Sequence, residues 1–124
     1  MLNWPDYRRQ LGEGVKDLGK LSPDTLRGYV ALSNAGRQSD VLGAKARELI
    51  ALAVAVTVRC DGCIATHIDA ALRQGASREE IAEALGVAIA VNAGAALVYS
   101  ARTLDAFSSL SAADANDNLG RTKS

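Results

Sequence analysis

The chain has 124 residues, 48% of them apolar but only 4% aromatic, with 14 basic and 14 acidic side chains and a formal net charge of zero. That length suits a single domain with an aliphatic, alanine-rich core. The charges follow no basic stripe and no cationic amphipathic segment, so neither nucleic acid nor a membrane surface is expected as a partner. The opening MLNWPDYRRQLGEG lacks the apolar region of a signal peptide, which leads to the expectation of a cytoplasmic protein. In that reducing compartment two close cysteines point to catalysis or metal binding rather than to a structural staple.

Pro5 fits the first turn of a helix running to about Lys20, weakened by Gly12 and Gly14. Ser22-Pro23-Asp24 opens a second helix, a capping side chain followed by a proline whose missing N–H is not needed there. It is expected to reach Ala35 and to stop at Gly36. Asp40 is expected to open a third, from about Leu42 to Val58. Its LIALAVAVTV alternates somewhat like a strand, but alanine content, length and the lead-in GAKAREL favour a helix. A fourth begins near Asp61, with Ile64, Ile68, Ala71 and Leu72 on one apolar face and Gly75 at its end. Ser77 to Glu80 reads as a capping box opening a fifth, in which Ile81, Leu85, Ala88, Ile89 and Asn92 share a face. Asn92 and Gly94 mark a break or close crossing before a last helix from Ala95 to Leu110. The uncharged runs Leu49–Val58 and Ala84–Ala101 are both read as buried helix. The second is barely long enough to span a bilayer and contains Gly86, Asn92, Gly94, Tyr99 and Ser100. Residues 1–110 thus form one all-α bundle of about six helices, and residues 111–124 a mobile polar tail.

Both cysteines and the only histidine lie within VRCDGCIATH. On a helix beginning near residue 60, offsets of three and four bring Cys60, Cys63 and His67 near one face, distinct from that of Ile64 and Ile68. Cysteines three apart in a first turn can approach disulfide geometry, with Cα atoms roughly 5.5 Å apart. Free N–H groups and the helix dipole favour a thiolate there. His67 is one turn beyond Cys63 but about 10 Å beyond Cys60, so Cys63 is the thiol it can serve as base, with Cys60 the more exposed sulfur. Glu48 is the last charge before an uncharged run lasting to Arg59, and its helical neighbours are Ala44, Ala51, Leu52 and Ala55. A carboxylate on such a face needs a partner. His67 supplies one, in the pattern of an orienting acid, a base and a nucleophile.

The pattern E-x11-C-x2-C-x3-H, filled by Glu48, Cys60, Cys63 and His67, resembles the core motif of AhpD-like alkylhydroperoxidases of the carboxymuconolactone decarboxylase superfamily. The flanks KARELIALAVAVTVRCDGCIATHIDAALRQGASREEIAEAL are similar to the signature helices of that family, and the likeness covers about residues 25 to 107. It implies an all-α bundle assembled as homotrimers or homohexamers. It also implies a peroxidase in which Cys63, deprotonated through His67 and Glu48, becomes a sulfenic acid and condenses with Cys60 to a disulfide. A dithiol donor, of lipoyl type in well-studied members, then restores the thiols. No cofactor or metal is implied. Asp61-Gly62 stands between the cysteines where such members often have Ser-His. An acid at that place disfavours a thiolate, so the resemblance leaves room for an oxidant other than a peroxide.

Other readings stand beside this one. Cys60 and Cys63 suit small buried hydrophobes, or join His67 and Glu48 as four zinc ligands. Glu48 could pair at the surface with Arg47 or Lys45. Asn92 fits a cap or crossing, Tyr99 fits packing better than a cavity wall, and Trp4 and Tyr7 anchor the first helix. A lactone decarboxylase of the same superfamily would not depend on the cysteine pair, and a redox switch without turnover would use the disulfide alone.

Overall fold

The computed structural model describes residues 1–121, which contain five helices and no strand. They are α1 (Trp4–Leu21), α2 (Pro23–Ser39), α3 (Ala44–Val58), α4 (Asp61–Arg73) and α5 (Arg78–Arg121). The chain divides into two compact units, Met1–Ala88 and Ile89–Ser124. In the first, α3 packs along α4, and α1 lies against both α2 and α4.

Local chemistry sets most of the helix starts. Asn3 caps α1 by accepting from the Asp6 N–H at 3.2 Å, with Pro5 in the first turn. Ser22 is the N-cap of α2, but its hydroxyl is engaged with the Thr25 hydroxyl at 2.7 Å rather than with a backbone N–H. Ser77 and Glu80 form the expected capping box: Ser77 Oγ accepts from the Glu80 N–H at 3.0 Å, and Glu80 Oε2 from the Ser77 N–H at 2.8 Å. Gly75, at φ +74°, ends α4 in the left-handed conformation, and the Ala76 N–H reaches back to the Ala71 carbonyl.

Several boundaries differ from expectation. Gly36 does not end α2, which runs on to Ser39. Asp40 closes that helix in the left-handed region at φ 46° instead of opening the next. Its carboxylate holds Arg47 Nη1 at 2.6 Å, which ties the end of α2 to the second turn of α3. Helix α3 starts at Ala44 behind Gly43. Asn92 and Gly94 do not break the chain, because α5 continues through them. One glycine costs about 1 kcal/mol in a helix interior, too little against the alanine-rich turns on either side, so five helices replace six. The helix also continues from Ser111 to Arg121. The end of the expected tail, residues 122–124, lies outside the described residues.

The core is thin. It centres on Leu52, Ala71 and Ala76, with Leu49, Ile68 and Ile81 packed against them, and Leu52 is the one large, fully buried side chain among the described residues. Lys45 Nζ on Glu80 Oε1 at 2.8 Å joins the first turns of α3 and α5 beside it. The apolar run Ala84–Ala101 is not buried as expected. Ala88 is buried, but Val87, Ile89, Val91, Leu97, Val98 and Tyr99 are exposed, and Tyr99 carries the Arg102 guanidinium over its ring at 4.9 Å. By length and composition alone, α5 is apolar enough to cross a bilayer. More than half of the run is Ala, Gly or Ser, so each turn brings little apolar bulk to a core.

Candidate active site

The turn from α3 to α4 builds the site. Arg59 takes the left-handed conformation at φ 56°, and the Cys60 N–H bonds the Ala55 carbonyl at 3.0 Å, a Schellman-type closure of α3. Only Arg59 and Cys60 separate the two helices, so the closure delivers Cys60 directly to the N-cap of α4. There Cys60 Sγ accepts from the Cys63 N–H at 3.1 Å, as a capping serine oxygen would. Cys60 and Cys63 are joined by a disulfide with Cα atoms 5.2 Å apart. Both residues are half-buried.

One turn on, His67 Nδ1 lies 2.7 Å from Glu48 Oε2. A carboxylate can only accept, so Nδ1 is the donor in this bond and Nε2 is left for other partners. The Glu48 side chain is 17% exposed and that of His67 30%, so the pair is largely withdrawn from water. The surface alternatives for Glu48 are not adopted: Arg47 turns to Asp40, and Lys45 to Glu80. Two packed helices therefore supply base and orienter, Glu48 from α3 and His67 from α4.

Cys60, Cys63 and His67 line one cavity of about 700 Å³. Its other walls come from α1, through Leu11, Val15 and Leu18, and from α2, through Leu26 and Tyr29. These walls were not foreseen. The i, i+4, i+7 spacing of Leu11, Val15 and Leu18 marks an apolar face, but nothing local says what it covers. Trp4 and Tyr7 stand together near the start of α1. Their rings meet edge to face at 6.1 Å, and Trp4 borders a hollow on α4 with Ile64, Ile68 and Leu72. Arg8 grips Asp69 of α4 with both guanidinium nitrogens, at 2.9 and 3.0 Å, and Arg73 adds a third contact to that carboxylate at 2.6 Å.

A half-buried cysteine pair joined by a disulfide at a helix start thus shares one cavity with an acid-backed imidazole in an all-α scaffold. Residues 23–106 match the model of the carboxymuconolactone decarboxylase family, and the chain belongs to that family. A protein of Haemophilus influenzae described as uncharacterized is 49% identical over 106 residues, covering 86% of this chain and 94% of that protein. One from Cupriavidus necator, also described as uncharacterized, is 35% identical over 107 residues, 86% of this chain and 91% of its own length. A third, described as uncharacterized protein 4 in the cox locus of Paracoccus denitrificans, is 38% identical over 76 residues, 61% of this chain and 68% of that protein. Helix α1, which walls the cavity, precedes the part that matches the family model.

Proposed function

We propose that this protein is a thiol-dependent peroxidase that reduces hydroperoxides through Cys63 and Cys60, in defence against oxidants in the cytoplasm. The observation that carries this reading is the Cys60–Cys63 disulfide lining the same cavity as His67, whose other nitrogen is held by Glu48. In the reduced protein, His67 Nε2 takes the Cys63 proton and Glu48 stabilises the resulting imidazolium. The Cys63 thiolate attacks the outer oxygen of the hydroperoxide. The O–O bond breaks, the leaving alkoxide takes back the proton from His67 and departs as an alcohol, and Cys63 becomes a sulfenic acid. The Cys60 sulfur then attacks Cys63, the S–O bond breaks and water leaves. Two electrons have passed from two thiols to one peroxide, leaving the disulfide. A dithiol donor, of the lipoyl kind that the family resemblance suggests, returns them by thiol–disulfide exchange. When the disulfide opens, negative charge on Cys60 is favoured by the Cys63 N–H and the positive end of α4.

A lactone decarboxylase, the activity in the family's description, would use Glu48 and His67 but leave the cysteine pair without a part. That asymmetry favours the peroxidase. We propose further that the protein works as a homotrimer or homohexamer, with other copies covering the exposed apolar side chains of α5. The interleaved Ala, Gly, Ser and Asn of that helix suit close packing against protein better than lipid.

The test is a thiol titration after one equivalent of cumene hydroperoxide. The wild type is expected to lose both thiols to a disulfide, Cys60→Ser to hold a trappable sulfenate on Cys63, and Cys63→Ser to form none. A sulfenate on Cys60 instead would reverse the roles, and unchanged thiols in the wild type would end the peroxidase reading.

A further inference from the structure

Gly62 lies between the two cysteines, and α1 rests on it. A Cβ built there would stand 2.9 Å from Leu11 Cδ2 and 3.8 Å from the Tyr7 hydroxyl oxygen, too close to the first for an ordinary contact. The Leu11 side chain is thus seated against the backbone that links the two sulfur-bearing residues, and a side chain at position 62 would push its tip aside. Leu11 also lines the cavity that reaches Cys60 and Cys63, between Val15 of its own helix and Leu26 and Tyr29 of α2. The helix that carries it is tied to α4 near its start by the two-pronged grip of Arg8 on Asp69. Leu11 is therefore a half-buried side chain beside the turn that carries the two sulfurs.

We propose that Leu11 is a specificity-determining residue of this site: it limits the approach to the disulfide to slim reagents and turns away branched or heavily charged ones. This rests on the redox reading of the cysteine pair, but the two are tested separately. The relevant step is reduction of the disulfide by an external thiol. The thiolate attacks one protein sulfur, the Cys60–Cys63 bond breaks, and the displaced sulfur leaves as a thiolate. A second external thiol then attacks the mixed disulfide, releasing the second protein thiol and one external disulfide. Two electrons pass from two reagent thiols to the protein. A side chain at the approach acts on the first attack through the reagent's bulk, whereas the chemistry at sulfur is the same for every aliphatic thiol.

The probes are 2-mercaptoethanol, which is slim, and reduced glutathione, which is branched and charged. Their rate constants are compared per thiolate, by trapping released protein thiols with a maleimide and weighing the product. In the wild type, glutathione is expected to be the slower reagent by about tenfold, the scale of a modest steric penalty at a packed contact. Leu11→Ala should raise the glutathione constant about tenfold while leaving that of 2-mercaptoethanol within about twofold. Leu11→Val trims a single carbon and so keeps the packing of α1, and it should move the ratio the same way by a smaller factor. Arg9→Ala, on the outer side of the same helix, should leave the ratio unchanged. Equal acceleration of both probes would make Leu11 a general cover and overturn the selective role. An unchanged ratio in both Leu11 variants, with helical content retained, would overturn it as well. A wild-type disulfide that neither probe reduces would instead remove the redox reading itself, and this proposal with it.

Discussion

Replacing Glu48 by glutamine tests the engine of the site with the smallest change of shape. The amide is nearly isosteric and its oxygen can still accept the His67 Nδ1–H, so orientation survives while the negative charge is lost. The bond is short, 2.7 Å, and its partners are 17% and 30% exposed, so solvent screening removes little of the difference. A hydrogen bond to a charged group contributes roughly 1.5–3 kcal/mol and a neutral one about 1 kcal/mol. The charge therefore accounts for about 0.5–2 kcal/mol, which is about 2–30-fold in rate if it is felt when His67 becomes an imidazolium. Pre-reduced Glu48→Gln is mixed with cumene hydroperoxide in a quenched-flow device, and the disulfide is counted by mass after alkylation. The expected result is oxidation about 2–30-fold slower than wild type. The loss should be smaller than that in His67→Ala, because a general base supplies about 10²–10⁴-fold. A Glu48→Gln rate within twofold of wild type, in a protein that melts normally, would refute the reasoning: the carboxylate would then be a packing partner with no part in thiol activation.

Leu52→Ala should cost about 2–5 kcal/mol, since it is a large side chain fully inside the core and its loss leaves a cavity among small neighbours; a denaturant titration reads the shift. Acid should loosen the start of α5. Lys45, and then the Ser77 N–H, hold the Glu80 carboxyl below its ordinary value of 4.5. Its contribution is thus complete above that value and is lost as the pH falls through the lowered one. The acid limb of melting temperature against pH should flatten in Glu80→Gln, and an identical limb would remove Glu80 from the account. Finally, Val98→Asp and Phe107→Asp place charge where side chains are 61% and 70% exposed in the single chain. If second copies cover them, each change should weaken assembly by about tenfold or more, from roughly 1.5–3 kcal/mol of burial per side chain. Light scattering in detergent-free buffer reads this, and a wild type that is already monomeric there would sink the oligomer.

What the sequence by itself determined about this protein is whatever short-range geometry controls. The all-helical character, the capping box at Ser77, the turn at Gly75 and the common face of Cys60, Cys63 and His67 follow from spacings of three and four residues. The contact between Glu48 and His67 was also legible, because a lone carboxylate on the apolar face of α3 must find a partner. Features set by competition between local preferences and packing were not. Gly36, Asn92 and Gly94 are weak breakers, and the helices run through them because each adds only a small local penalty to a long cooperative element. Asp40 closes α2 rather than opening α3, since its carboxylate serves Arg47 across the turn. Only the tertiary structure decided that Leu11, Val15, Leu26 and Tyr29 wall the cavity and that Gly62 admits α1 against the cysteines. Those contacts join residues far apart in the chain, and no periodicity within one helix says which surface its apolar face will cover.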